Sequence, residues 1–212
     1  MPPLYDLAII PITVALVIGI WRFRQLHKPL RGIVLLVFCE LFIEIAGRVA
    51  GKLLGTNMFL IPIDTILEFG LLAWVYRQVL GPSAVSRGLP VVVVLFTAWG
   101  LLSYLWPSTL SEFNTTQRFV ESLLVLGLVL LYFYKVIREL VIVHLEREPM
   151  FWVSLGLLIY FAGNLFIFIS SNYLLQRSPA LGLRFWAIHA VFYMILNSLF
   201  ALALWIAPSK KK

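Results

Sequence analysis

The chain has 212 residues, of which 61% are hydrophobic and only 13% charged, with a mean hydropathy of +0.95. Those values exclude an ordinary soluble domain and predict an all-α, polytopic integral membrane protein. Its 17 Lys and Arg against 10 Asp and Glu give a formal charge of +7. In such a chain cations gather at cytoplasmic helix ends, so the excess gives no reason to expect nucleic acid as a partner. The lone Cys39 lies in an apolar run, which rules out an intramolecular disulfide and any CxxC metal or redox motif.

A spanning helix needs about 20 mostly apolar residues to cross roughly 30 Å of hydrocarbon. Seven stretches qualify, at 4–20, 32–54, 58–80, 90–106, 119–140, 150–172 and 185–207. Turn chemistry or charge separates them, in residues 22–31, Gly55-Thr56-Asn57, Gly81-Pro82-Ser83, Pro107-Ser108-Thr109, Glu146-Arg147-Glu148-Pro149 and 176–179. Pro90 and Pro149 are predicted in first turns, where a helix tolerates proline. Pro11 falls inside the first stretch and predicts a kink.

The amino terminus does not read as a signal peptide, because it carries Asp6 and its cations follow the apolar run at Arg22, Arg24 and Lys28. Assigning alternate connections to alternate sides gathers 12 cations on one side: Arg22, Arg24, Lys28, Arg31, Arg77, Arg87, Lys135, Arg138, Arg147, Lys210, Lys211 and Lys212. The other side receives 5: Arg48, Lys52, Arg118, Arg177 and Arg184. The positive-inside bias then predicts an amino terminus outside and a carboxyl terminus inside a multi-pass protein of the cell (inner) membrane. Trp21, Trp152 and Trp205 fall near the inner boundary, and Trp106 and Trp186 near the outer one. Connections of about a dozen residues leave no room for a soluble domain, so the reading is one seven-helix domain over 1–212.

Asp6 and Glu139 stand at the ends of their stretches, where an acid costs little, whereas five of the ten acids lie deeper within them: Glu40, Glu44, Asp64, Glu68 and Glu121. Ionised carboxylates in hydrocarbon cost several kcal/mol each, so they should face the interior, pair, or take a proton. Glu40, Glu44 and Arg48 recur every four residues and form one stripe. Asp64 and Glu68 form another, and His189, Tyr193 and Asn197 a third. With Tyr160 and Asn164, these groups are predicted to meet in the outer half of the bundle and to line a polar cavity. The plainer reading is interhelical bonding, with Glu44 or Asp64 capturing Arg48 and Asn164 or Asn197 bridging helices. One Arg cannot neutralise five acids, however, and Arg118 and Arg184 are read at the rim. The surplus calls for protons, water, a bound cation or a hydrogen-bonding ligand. Gly47-x-x-x-Gly51, Gly156 and Gly163 read as close-packing positions, and Asn114-Thr115-Thr116 is a sequon in an outer loop.

Absences narrow the chemistry. A retinal protein needs a Schiff-base lysine in its last helix, and residues 185–206 contain none, which argues against that cofactor. A zinc-dependent intramembrane hydrolase relies on several histidines, whereas His189 alone lies at membrane depth. GxSxG, HExxH and P-loop motifs are missing, so no catalytic residues are assigned, and the metal and cofactor stay unknown.

The stretches Asp64-Thr65-Ile66-Leu67-Glu68-Phe69 through Tyr76-Arg77, Glu148-Pro149-Met150-Phe151-Trp152 through Tyr160-Phe161-Ala162-Gly163-Asn164, and Ile188-His189 through Asn197 resemble uncharacterised bacterial seven-helix membrane proteins. Those are in turn similar to the membrane sensor modules of histidine kinases. The resemblance implies a sensor whose output passes to a separate signalling protein at the basic cytoplasmic loops. The expectation is therefore a bilayer-embedded sensor that binds a small molecule, lipid or cation. Its ligand-binding residues would be Glu44, Asp64, Glu68 and His189, supported by Arg48, Glu121, Asn164, Asn197, Tyr193 and Tyr160. A small-solute or proton-coupled transporter using Glu40 and Glu68 is the alternative, and an intramembrane lipid-modifying enzyme the third.

Overall fold

The computed structural model describes residues 6–106, 115–139, 144–177 and 179–208; the side chains of 170–181 and 183 are outside that description, as is the sequon residue Asn114. Seven α-helices follow in order: α1 Ile9–Arg22, α2 Lys28–Leu54, α3 Ile61–Leu80, α4 Ala84–Leu102, α5 Thr115–Glu139, α6 Pro149–Arg177 and α7 Pro179–Ile206. Short 3-10 turns lead into α3 and α6 and follow α4, and no strand occurs among the described residues. Each predicted stretch corresponds to one helix.

Five helical segments are long and apolar enough to cross a membrane: Met58–Leu80, Ala84–Leu105, Thr115–Glu139, Pro149–Ile169 and Arg184–Ile206. The remaining two differ for separate reasons. At 14 residues α1 spans only about 21 Å at 1.5 Å per residue. In α2 every 18-residue window holds at least three of Lys28, Arg31, Glu40, Glu44, Arg48 and Lys52.

Helix ends follow local chemistry. Ser83 and Ser86 form a capping box that starts α4 at Ala84. Pro90 therefore stands inside α4, not in its first turn as the hydropathy boundary predicted. Pro11 stands in the first turn of α1, and a turn at Ala8 interrupts the helical residues Asp6 and Leu7 just ahead of it. Pro149 opens α6 as expected. Gly55 ends α2 at φ 77°, a left-handed conformation that glycine adopts without a Cβ clash.

The principal packing contacts run in a closed circuit, α1 to α2, α2 to α3, α3 to α5, α5 to α6, α6 to α7 and α7 back to α1, while α4 packs on the outside of α3. Around a largely apolar core, several polar groups are buried and many large apolar side chains exposed. On α2, Phe38, Phe42, Ile45 and Val49 make an exposed apolar face at helical spacing, whereas Glu40 is buried with Ile33 and Val37. Glu68, Arg118, Glu121, Asn164 and Asn197 are likewise buried. Two cations fasten helix ends. Arg22 donates to the carbonyls of Leu204 at 2.7 Å and Ala207 at 2.5 Å, and Lys135 donates to those of Val79 at 3.0 Å and Leu80 at 3.2 Å. Each offsets the negative end of a helix that would otherwise present unpaired carbonyls.

The α6 and α7 contact is the most extensive, and glycines permit it. A Cβ on Gly163 would lie 2.6 Å from the Phe192 ring, so something would have to shift there, whereas one on Gly156 would lie 3.2 Å from Leu196, a tight contact that a small adjustment could relieve. The Gly47-x-x-x-Gly51 pair does not act as a packing motif of this kind, since nothing lies within 4 Å of a Cβ at Gly51. Gly163→Ala is expected to cost about 1–3 kcal/mol through displacement of the Phe192 ring, while Gly51→Ala stays neutral or gains slightly from helix propensity. Thermal unfolding of the two variants in detergent checks the contrast.

Candidate functional site

Arg118 lies one turn into α5 and points into the circuit, where it is only 8% exposed. Its Nη1 donates to Glu68 Oε2 at 2.7 Å and to Glu121 Oε2 at 2.9 Å, and its Nη2 to Asp64 Oδ2. Spacing explains the convergence. Asp64 and Glu68 share one face of α3, and Glu121 follows Arg118 by three residues on α5, so a single guanidinium at the contact between α3 and α5 reaches all three. Glu121 is 0% and Glu68 4% exposed. The Asp64 side chain keeps 21% of its surface and forms the accessible edge of the cluster.

A second set of contacts joins α2, α6 and α7. Tyr193 donates its hydroxyl to Glu40 Oε2 at 3.3 Å, and His189 donates Nδ1–H to Asn164 Oδ1 at 3.1 Å. The amide oxygen can only accept, so this bond places a proton on Nδ1. Four aromatic rings surround His189: Trp186 at 5.1 Å, Tyr160 and Phe168 at 5.7 Å, and Tyr193 stacked at 6.4 Å. Tyr160 packs beside both His189 and Tyr193, with ring centroids 5.7 and 6.1 Å away.

The predicted site residues thus divide into three groups. Asp64, Glu68 and Glu121 come together on Arg118. Tyr160, Asn164, His189 and Tyr193 form an adjoining aromatic and amide set that reaches Glu40, with Asn197 donating to the Tyr193 carbonyl at 3.1 Å. Glu44 and Arg48 are a separate outer pair, 2.8 Å apart, and Arg48 also holds Asp6 at 2.9 Å. Glu44 captures Arg48 as the plainer reading required, whereas Asp64 goes to Arg118 instead.

Two residues are corrected by these contacts. Arg118, read as a rim cation because the apolar stretch begins at 119, is the centre of the interior cluster. Asp6, read as a terminal acid, neutralises Arg48. The signal that would have found Arg118 is its three-residue spacing from Glu121 together with the charge deficit of the interior. Glu40, set aside for the transport reading, belongs with the site.

Acids outnumber cations in the described interior. Four acids face the interior, and Arg118 is the only Lys or Arg among the buried described residues. Glu40 Oε1, Glu121 Oε1 and Asn197 Oδ1 are buried with no hydrogen-bond partner among the described residues. A buried acceptor left unmatched costs about 1–3 kcal/mol, more when charged. This arrangement suits a positively charged or hydrogen-bond-donating occupant. Among the described residues no group of three or more His, Cys, Asp or Glu has the geometry to hold a metal ion.

Arg118→Gln removes the only Lys or Arg buried among the described residues and leaves three carboxylates facing one another. Its cost is expected to be about 3–5 kcal/mol, the range for breaking one partner out of a buried pair. Arg48→Gln, acting on a half-exposed pair, is expected to cost no more than about 1 kcal/mol. Chemical or thermal unfolding in detergent measures both, and equal losses would contradict the assignment of the interior to Arg118. No protein-family model, curated protein or solved structure matches this chain.

Proposed function

We propose that the chain is a sensor in the cell (inner) membrane, with all seven helices spanning, the amino terminus outside and the carboxyl terminus inside. In this reading a small cationic solute, held by the Asp64, Glu68, Glu121 and Glu40 carboxylates beside Arg118, is the signal. The change passes through the basic cytoplasmic loops to a separate partner protein. The observation that carries the reading is the surplus of interior acids over cations, with buried carboxylate oxygens on Glu40 and Glu121 that lack partners.

An occupant there acts on several elements at once. The four acids stand on α2, α3 and α5, and Tyr193 ties Glu40 to α7. A cation that binds one arrangement of these helices more tightly than another shifts the population between them, and no larger movement is needed to begin a signal. Asp64, the most exposed of these four acids, marks the route of entry.

The transporter reading keeps one specific support. Glu40 is bonded to Tyr193 and not to Arg118, so it is the carboxylate most free to exchange an occupant. Solute or proton flux in liposomes that Glu68→Gln abolishes would favour transport over sensing.

Unfolding of the purified protein in detergent, in a series of inorganic cations and alkylammonium salts at constant ionic strength, tests the sensor site. At a hundredfold excess over its dissociation constant, a specific ligand contributes about 2.7 kcal/mol, or roughly 5–10 °C of melting temperature for a chain of this size. Asp64→Asn and Glu121→Gln are expected to abolish that shift, and His189→Ala to weaken it. A series with no shift beyond the ionic-strength control, or a shift that survives both carboxylate changes, would overturn the site.

A further inference from the structure

Glu121 and Glu68 are the two most enclosed acids among the described residues, and they meet. A single nitrogen, Arg118 Nη1, serves both, at 2.7 Å to Glu68 Oε2 and 2.9 Å to Glu121 Oε2, and the two carboxyls stand within hydrogen-bond reach of each other. Two carboxylates cannot bond, because their oxygens accept and neither donates. Their contact is favourable only when one of them carries a hydrogen, and like charges held this close do not both ionise.

The charges around the pair point the same way. Of the three acids bonded to Arg118, Asp64 keeps 21% of its side-chain surface, where water can solvate it. That leaves two enclosed carboxyls for one guanidinium, so one further positive charge balances them. The neighbouring helices do not supply it. Near the pair, α2 brings the acid Glu40, α3 the acid Asp64 and α6 the phenol Tyr160, while His189 and Tyr193 of α7 are bonded to Asn164 and Glu40. The one charged residue of α4, Arg87, stands in its first turn at the other end of the bundle. Size then selects the cation. Glu121 Oε1 has no hydrogen-bond partner among the described residues and is closed to anything as large as a water molecule. A solute cation would reach it only in another arrangement of the helices, whereas a proton passes along hydrogen bonds between carboxyl groups.

We propose that Glu68 and Glu121 form a proton-binding site, with one proton shared between the two carboxyls beside Arg118 Nη1 and exchanged with water through Asp64. In the loaded site one carboxyl donates its O–H to the other, and Arg118 neutralises the single charge that remains. Release passes the proton to Asp64 at the accessible edge and leaves the interior one charge more negative, which loosens the contact between α3 and α5. The proton site stands without the cation reading. A solute cation that enters the cluster has to displace this proton, a consequence that does rest on that reading.

Infrared spectroscopy of the delipidated protein near neutral pH, in a non-ionic detergent free of ester and carboxyl groups, tests this, because a protonated carboxyl has a C=O stretch that a carboxylate lacks. The parent protein is expected to show that band. Since the proton is shared, Glu68→Gln and Glu121→Gln are each expected to remove the whole of the pair's band, the remaining carboxyl staying ionised against Arg118. Glu40→Gln is expected to leave the band in place. Circular dichroism in the same detergent checks that each variant is folded, and the two pair variants give the same test twice. No protonated-carboxyl band in the parent, a band that survives both pair variants or is merely halved by each, or one lost only with Glu40→Gln would overturn the proposal. No solute cation is added in this measurement, so its failure is distinct from a failure of the sensor site in the cation series.

Discussion

An ionised carboxylate in a medium that cannot solvate it must be matched by a positive charge or a hydrogen-bond donor. Arg118 does this for three carboxylates at once, and the arrangement of the interior follows from that single guanidinium. It fixes α3 against α5, because Asp64 and Glu68 come from one and Glu121 from the other. It leaves α4, which contributes no acid, free to lie on the outside of α3. The demand then spreads to neighbouring groups, since Glu40 has to find Tyr193 on α7 once the guanidinium is committed elsewhere. A buried ion cluster of this kind contributes little net stability relative to an apolar core of equal volume.

The two ends of the bundle use charge in different ways. At one end carboxylates predominate, pulled inward around Arg118 and Tyr193. At the other, cations close helices: Arg22 caps α7, and Lys135 caps α3. Between the two ends the contacts are mainly apolar, with Tyr76 bonded to Ser154 at 2.8 Å as a buried polar link from α3 to α6. Glycine sets the tightest part of this middle layer, where Phe192 of α7 lies against Gly163.

Helix number and order were legible because a run of about 20 apolar residues is a strong signal, and α1 and α2 were found by it even though one is short and the other charged. Boundaries were less legible. Hydropathy begins the fourth stretch at Pro90, but the helix begins where Ser83 and Ser86 can satisfy its first N–H groups, and capping depends on hydrogen bonds that a hydropathy average does not register. The same bias displaced Arg118. Its charge lowers the local hydropathy and moves the apparent start of the fifth stretch beyond it, although α5 already runs from Thr115. Acids inside apolar runs are visible from sequence because they interrupt them, and a cation at the edge of a run is not. Which acid meets which cation is tertiary information, and so the shared fate of Arg48 with Asp6, 42 residues away, could not be read from spacing.

The account depends most on Arg118 and its carboxylates forming one electrostatic unit inside the bundle. A double-mutant cycle between Arg118→Gln and Glu68→Gln, read by reversible unfolding in detergent, measures this directly. With Arg118 present, Glu68→Gln is predicted to destabilise, since a charged hydrogen bond is lost. In the Arg118→Gln background the same change is predicted to stabilise, since it removes one of the carboxylates left unmatched, and the coupling should reach about 2–3 kcal/mol. An identical effect of Glu68→Gln in the two backgrounds would contradict the account, because it would mean that the two charges do not meet.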